Sequence, residues 1–115
     1  MKERRKHKRY YLKALLQAND EAEYSNVTLE SINISAGGLL MRASAEIDSG
    51  ATFTLLFSLP GRSEPVKARC EAVHSLEAIP GKQYFIGARF LDLEGISEAE
   101  LDDFLKDRFE ESFTN

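Results

Sequence analysis

The sequence predicts a mainly β fold: six short strands in an antiparallel barrel or sandwich, followed by one C-terminal amphipathic α-helix. Three observations carry this reading. Through most of the chain apolar and polar residues alternate over short runs, the period of two of a half-buried strand. Between the runs stand turn signals such as Asn19-Asp20, Gly37-Gly38 and Pro60-Gly61, and the links are too short for the crossover helices that parallel pairing needs. The last segment alone changes to helical spacing. Closing the sheet into a barrel removes its exposed edges. With 115 residues the chain reads as a single domain, 1–115, able to bury a core without metal or disulfide staples.

The chain opens on "ERRKHKRYYL", residues 3–12. Residues 1–13 hold seven Lys or Arg against Glu3, a local charge of +6, so the remainder carries −10 to give −4 overall. Residues 1–9 read as a basic arm, mobile when its repelling charges have nothing to hold them. A barrel is expected over residues 10–92. "YYLKALLQA" (10–18) is its first strand. "YSNVTLESINIS" (24–35) shifts phase from Val27 and Leu29 to Ile32 and Ile34, which predicts a bulge or bend near Glu30–Ser31. "AGGLLMRAS" turns at its glycine pair into a strand over 39–43. "TFTLLFSLP" points Phe53, Leu55, Phe57 and Leu59 inward until Pro60-Gly61 breaks it. "VKARCEAVHSL" points Val66, Ala68, Cys70 and Ala72 inward, and "YFIGARFLDL" does so with Tyr84, Ile86, Ala88 and Phe90. The helix is expected over 97–113. Ser97 and Glu100 form a capping box, Ile96 and Leu101 a hydrophobic staple, and Leu101, Phe104, Leu105, Phe109 and Phe113 an apolar stripe.

Several function classes fall away. No stretch of 18 apolar residues is present, so no membrane span is expected, and the N-terminus has no signal-peptide pattern. Cys70 is the sole cysteine, which excludes an internal disulfide and suits a cytoplasmic protein. His7 and His74 are the sole histidines; together with Cys70 they give neither a zinc spacing nor a nucleophile–base–acid set, so neither a metal site nor an enzyme is expected. His74 reads as a barrel-wall residue and Cys70 as a small core residue. Phosphate-loop and dinucleotide fingerprints are absent. With a pI near 5.2, positive potential is confined to one arm, which favours a compact anion over a long polyanion.

Two short features can carry chemistry. Arg5 and Arg9 stand four apart, with Arg4 directly before them. An arginine fork grips phosphate at two points, stacks on rings and reads O6 and N7 of a guanine. In "NISAGG", Asn33 and Ser35 place short hydrogen-bonding side chains at alternate positions, and Gly37-Gly38 removes bulk where a backbone or ligand must come close. Either alone reads as a solvated tail or a hairpin turn. Taken together, Arg5-x-x-x-Arg9 followed by Asn33-x-Ser35-x-x-Gly38 resembles the PilZ domain family, whose motifs are RxxxR and (D/N)xSxxG in that order. "YFIGARFLDL" and the helix after it fit the same pattern, and the match covers nearly the whole chain.

That resemblance implies a six-stranded antiparallel barrel with an added helix, acting as a bacterial receptor for cyclic di-GMP. Arg5 and Arg9 would take phosphates and guanines, Asn33 and Ser35 would hydrogen-bond a guanine and nearby backbone, and Gly38 would keep the barrel surface open. An arginine at the place of Arg4 implies an intercalated ligand dimer, two molecules per chain. The implied output is an ordering of the arm that regulates a separate effector protein in motility, exopolysaccharide export or virulence. No cofactor is implied. The alternative is a nucleic-acid or other polyanion binder working through the arm, disfavoured because no run of stacking aromatics interleaved with basic residues exists.

Overall fold

The computed structural model describes residues 7–19, 24 and 26–112. Its strands are β1 (Arg9–Tyr11), β2 (Leu15–Asn19), β3 (Leu29–Ile34), β4 (Gly38–Ala43), β5 (Thr52–Phe57), β6 (Val66–Ile79), β7 (Gln83–Glu94) and β8 (Glu111–Ser112), with helix α1 (Glu98–Arg108) between β7 and β8. Six strands, in the order β2-β5-β6-β7-β4-β3, close on themselves through a β2–β3 pairing, all antiparallel. The predicted barrel is therefore the observed one. Strands β1 and β8 extend the sheet beyond β3 as a short ribbon.

The alternation read from the sequence fills the interior. Phe53, Leu55, Val66, Ala68, Cys70, Leu39, Met41 and Ile86 are fully buried in one continuous core. At about 25 cal/mol per Å² of apolar surface, such residues supply most of the stabilisation of the barrel.

The first strand differs from expectation. Residues 10–18 do not run as one strand but break at Leu12–Ala14. The cause is Ser31 of β3: its hydroxyl donates to the Leu12 carbonyl and accepts from Ala14 N–H at 2.9 Å, while Ser31 N–H donates to Ala14 O at 2.9 Å. A side chain thus takes up ladder groups that strand pairing would use, and the chain bends there.

Two bulges decide which way the site residues face. In β3 against β4 the register moves from Ser31↔Met41 to Asn33↔Leu40, so Ile32 is the extra residue, close to the predicted phase shift. In β6 against β7 it moves from Ala72↔Ala88 to His74↔Gly87, with Val73 extra. Each inserted residue reverses the alternation after it. Asn33 and His74, which strict alternation from buried Ser31 and Ala72 would turn inward, lie instead on the outer face.

Helix α1 starts as predicted. Ser97 is its N-cap, Glu100 N–H donates to Ser97 Oγ at 3.1 Å, and Ser97 N–H donates to Glu100 Oε1 at 3.2 Å. The staple residues Ile96 and Leu101 are buried, and Leu101, Phe104 and Leu105 join the barrel core. The helix is shorter than its spacing predicts. It ends at Arg108; Phe109 is extended (φ −127°, ψ 151°) and packs against Phe104, and Ser112 is buried in β8, opposite Arg9. Strand pairing with β1, helped by Tyr11 N–H donating to Glu110 O at 2.9 Å, overrides the helical periodicity. Phe113 lies outside the described residues.

The hydrogen bonds with Ser97, led by the side-chain one, hold the Glu100 carboxyl below its ordinary value. A lowered folded-state value means that its share of stability is complete above the ordinary carboxylate range and is lost as pH falls through the lowered value. Ser97→Ala removes the N-cap hydroxyl of α1 and should cost about 1 kcal/mol at neutral pH. Urea unfolding at pH 7 and pH 3 should show the gap between variant and parent narrowing in acid.

Candidate functional site

On the outer face, strand pairing lines up Tyr11, Asn33, Leu40, Gly87 and His74 as successive partners across five strands. The neighbouring row runs through Gly38, Arg89 and Glu71. Directly paired residues share a face, so both rows present their side chains to the same side.

Of the six residues singled out in the sequence, four are described and lie together. Arg9 Nη1 donates to Asn33 Oδ1 at 3.3 Å, joining the arm to the second motif across 24 positions of sequence. Ser35 forms the turn: its N–H donates to Gly38 O at 2.8 Å, and its hydroxyl accepts from Gly37 N–H at 3.1 Å. Arg9, Ser35 and Gly38 line one cavity of about 220 Å³. Arg4 and Arg5 lie outside the described residues.

The glycine at 38 has a reason of its own. Its backbone is not left-handed; a Cβ there would stand 2.2 Å from Ala88 O and 3.0 Å from Arg89 Cα. The β7 backbone, and not a turn angle, demands glycine. Gly37, by contrast, has room for a side chain.

His7 ties the arm to the helix. Its Nε2 lies 2.5 Å from Glu98 Oε1 and its Nδ1 3.7 Å from Asp102 Oδ1, with its side chain largely covered. It also lines the cavity beside Arg9.

A family model described as PilZ domain matches residues 3–107. This chain belongs to the PilZ domain family. Two solved structures share its fold. The structure of the Bacillus subtilis inhibitor of motility (MotI/DgrA) matches with a TM-score of 0.75 at 17% identity over 93% of this chain, which spans 51% of that one. The PilZ domain with c-di-GMP of YcgR from Escherichia coli matches with a TM-score of 0.65 at 16% identity, covering 91% of each chain. No curated protein matches in sequence.

This PilZ domain has a second cavity wall that motif reading did not reach, formed by Val73, His74, Gly87, Ala88 and Arg89 of the β6–β7 ribbon. The "VHSL" run offered a signal, since His74 follows an inward Ala72 at a position where a polar residue is out of phase; a bulge resolves that conflict. Among the described residues no three His, Cys, Asp or Glu side chains gather as metal ligands, and no helix is long and apolar enough to cross a membrane.

Proposed function

We propose that this PilZ domain is a receptor for cyclic di-GMP that binds without turnover and regulates an effector protein. The observation that carries the proposal is the Arg9–Asn33 contact, which brings the two motifs to one cavity on the barrel's outer face. A ligand with two phosphates and two guanines calls for fixed positive charge, forked donors and short polar side chains. Arg9, Asn33 and Ser35 supply these beside the glycine turn, with Arg5 following from the same motif and Arg4 from its place directly before it. The YcgR domain of the same fold is a structure with c-di-GMP, which supports this choice of ligand.

Binding would reorder the arm, and the His7–Glu98 contact supports a path from the arm to α1. We assign the output to a separate protein that reads this change; the like fold of a motility inhibitor favours motility as the process regulated. Arg4 argues for an intercalated ligand dimer.

Calorimetric titration with cyclic di-GMP tests the reading, with single-stranded RNA as the competing polyanion at two salt concentrations. Saturable nucleotide binding with two molecules per chain is expected, against weak RNA binding that fades with salt. A stoichiometry of one removes the dimer. Tighter binding of RNA than of the nucleotide overturns the receptor.

A further inference from the structure

We propose that the free edge of β6, residues 73–79, pairs with the same edge of a second copy of this chain, as a two-fold dimer centred on Leu76. The inference does not depend on the cyclic di-GMP reading.

The edge is open on one side. Strand β6 runs for 14 residues, but its pairing with β5 ends at Glu71, opposite Thr52. The loop before β5 occupies the next positions. Gly50 N–H donates to Ala72 O at 2.7 Å, Ala72 N–H donates to Ala51 O at 2.9 Å, and Ser49 Oγ donates to Val73 O at 3.3 Å. From His74↔Gly87 to Ile79↔Gln83, β6 pairs with β7 alone, and no strand lies along its other side among the described residues. A row of unpaired N–H and C=O groups is a template for another strand.

The usual guards of such an edge are turned away from it. Charge blunts an edge when it stands at the approach of an incoming strand. The carboxylate here, Glu77, is held within its own hairpin, accepting from Tyr84 Oη at 3.1 Å and from Gly81 N–H at 3.2 Å. The His74 imidazole takes the space that a side chain at Gly87 would fill, so it leans over β7 and away from the edge. What the edge presents is apolar: Val73, Leu76 and Ile79 are 53%, 62% and 48% exposed. The bulges at Val73 and Ala78 fall toward its ends and leave Ser75–Glu77 regular.

The spacing of these residues selects the occupant. Val73 and Ile79 each stand three places from Leu76. Antiparallel pairing centred on Leu76 sets Leu76 against its own copy and Val73 against Ile79 of the second copy, apolar against apolar throughout. It also sets Glu77 against Ser75 of the second copy and keeps the two carboxylates from facing each other. A pair centred on Glu77 would oppose like charges directly. Length fits as well. The open window starts where the Ser49–Ala51 loop stops and ends where the hairpin turns at Pro80, so an antiparallel copy of β6 runs out where the loop begins. The contact covers about 20 Å of strand, small for a stable interface, so the dimer forms at high protein concentration.

Sedimentation of the full chain from micromolar to millimolar concentration tests the proposal, with thermal unfolding as a check of folding. A monomer–dimer equilibrium is expected. Leu76→Lys should weaken it about tenfold or more, because like charges then meet on the axis, with the unfolding midpoint unchanged. Cross-linking fixes the register. Across the axis the two Leu76 Cα atoms would lie about 5 Å apart, within disulfide reach, and the two Glu77 Cα atoms about 8 Å apart, beyond it. Cys70 is buried, so a disulfide reports the added thiol. Leu76→Cys should therefore give a linked dimer under mild oxidation, several times faster than Glu77→Cys. A chain that stays monomeric at millimolar concentration overturns the dimer and leaves the edge to a different strand. A dimer that Leu76→Lys leaves within twofold of the parent puts the interface elsewhere and overturns the proposal too. Equal cross-linking of the two cysteine variants removes the axis at Leu76.

Discussion

Arg9→Ala weakens cyclic di-GMP binding by about 10- to 150-fold, the expected loss when a hydrogen bond to a charged group worth about 1.5–3 kcal/mol is removed. Arg9 is the described member of the arginine pair, and it stands where the arm meets the barrel. It opens β1, its side chain reaches Asn33, and it lines the cavity. The substitution removes the proposed phosphate-binding fork and also one partner of Asn33, which is fully buried. Arg9→Lys separates these contributions: charge survives and bidentate geometry does not, so most of the loss should remain. Calorimetry at fixed ionic strength measures both. Binding within threefold of the parent in Arg9→Ala would remove Arg9 from the site.

The second large effect concerns the fold. Gly38→Ala is expected to destabilise the domain by about 1–3 kcal/mol, the cost of forcing atoms into a filled space. The obstacle is the Ala88 carbonyl of a central strand, which cannot swing aside as a flexible side chain would. At the scale of a small domain each kcal/mol lowers the thermal midpoint by about 4 °C or more. Ligand binding should weaken too, because the β4–β7 spacing sets the relation of Ser35 to Arg89. The loss of binding in this variant would therefore report barrel geometry before it reports contact with a base. An unchanged midpoint would contradict the spacing argument. Gly37→Ala, which meets only ordinary contacts, serves as the control.

Much of this architecture was legible from local rules. The alternation that placed Phe53, Leu55, Val66 and Cys70 inward held because both faces of those strands see uniform surroundings. The Ser97–Glu100 box was legible because every group in it lies within one turn of chain. What failed was decided by tertiary pairing. The strand over 10–18 is divided by a hydroxyl from Ser31, and the helix stops at Arg108 because β1 offers a pairing edge. The site was half legible. Arg9 meets Asn33 and shares one cavity with Ser35 and Gly38, and His74, Arg89 and His7 join that cavity by register and packing across distant strands. Arg4 and Arg5 lie outside the described residues. No local window contains the fact that His74 rests on Gly87.

The extra residues at Ile32 and Val73 give the chain's length a meaning of its own. Asn33 and His74 lie on the same outer face of the barrel because each follows one uncounted position, and the two counts agree. Delete either residue and every side chain in the surface would keep its identity while one jaw of the site turned toward the core. Recognition here is written partly in parity, which no substitution alters and any single-residue gap does.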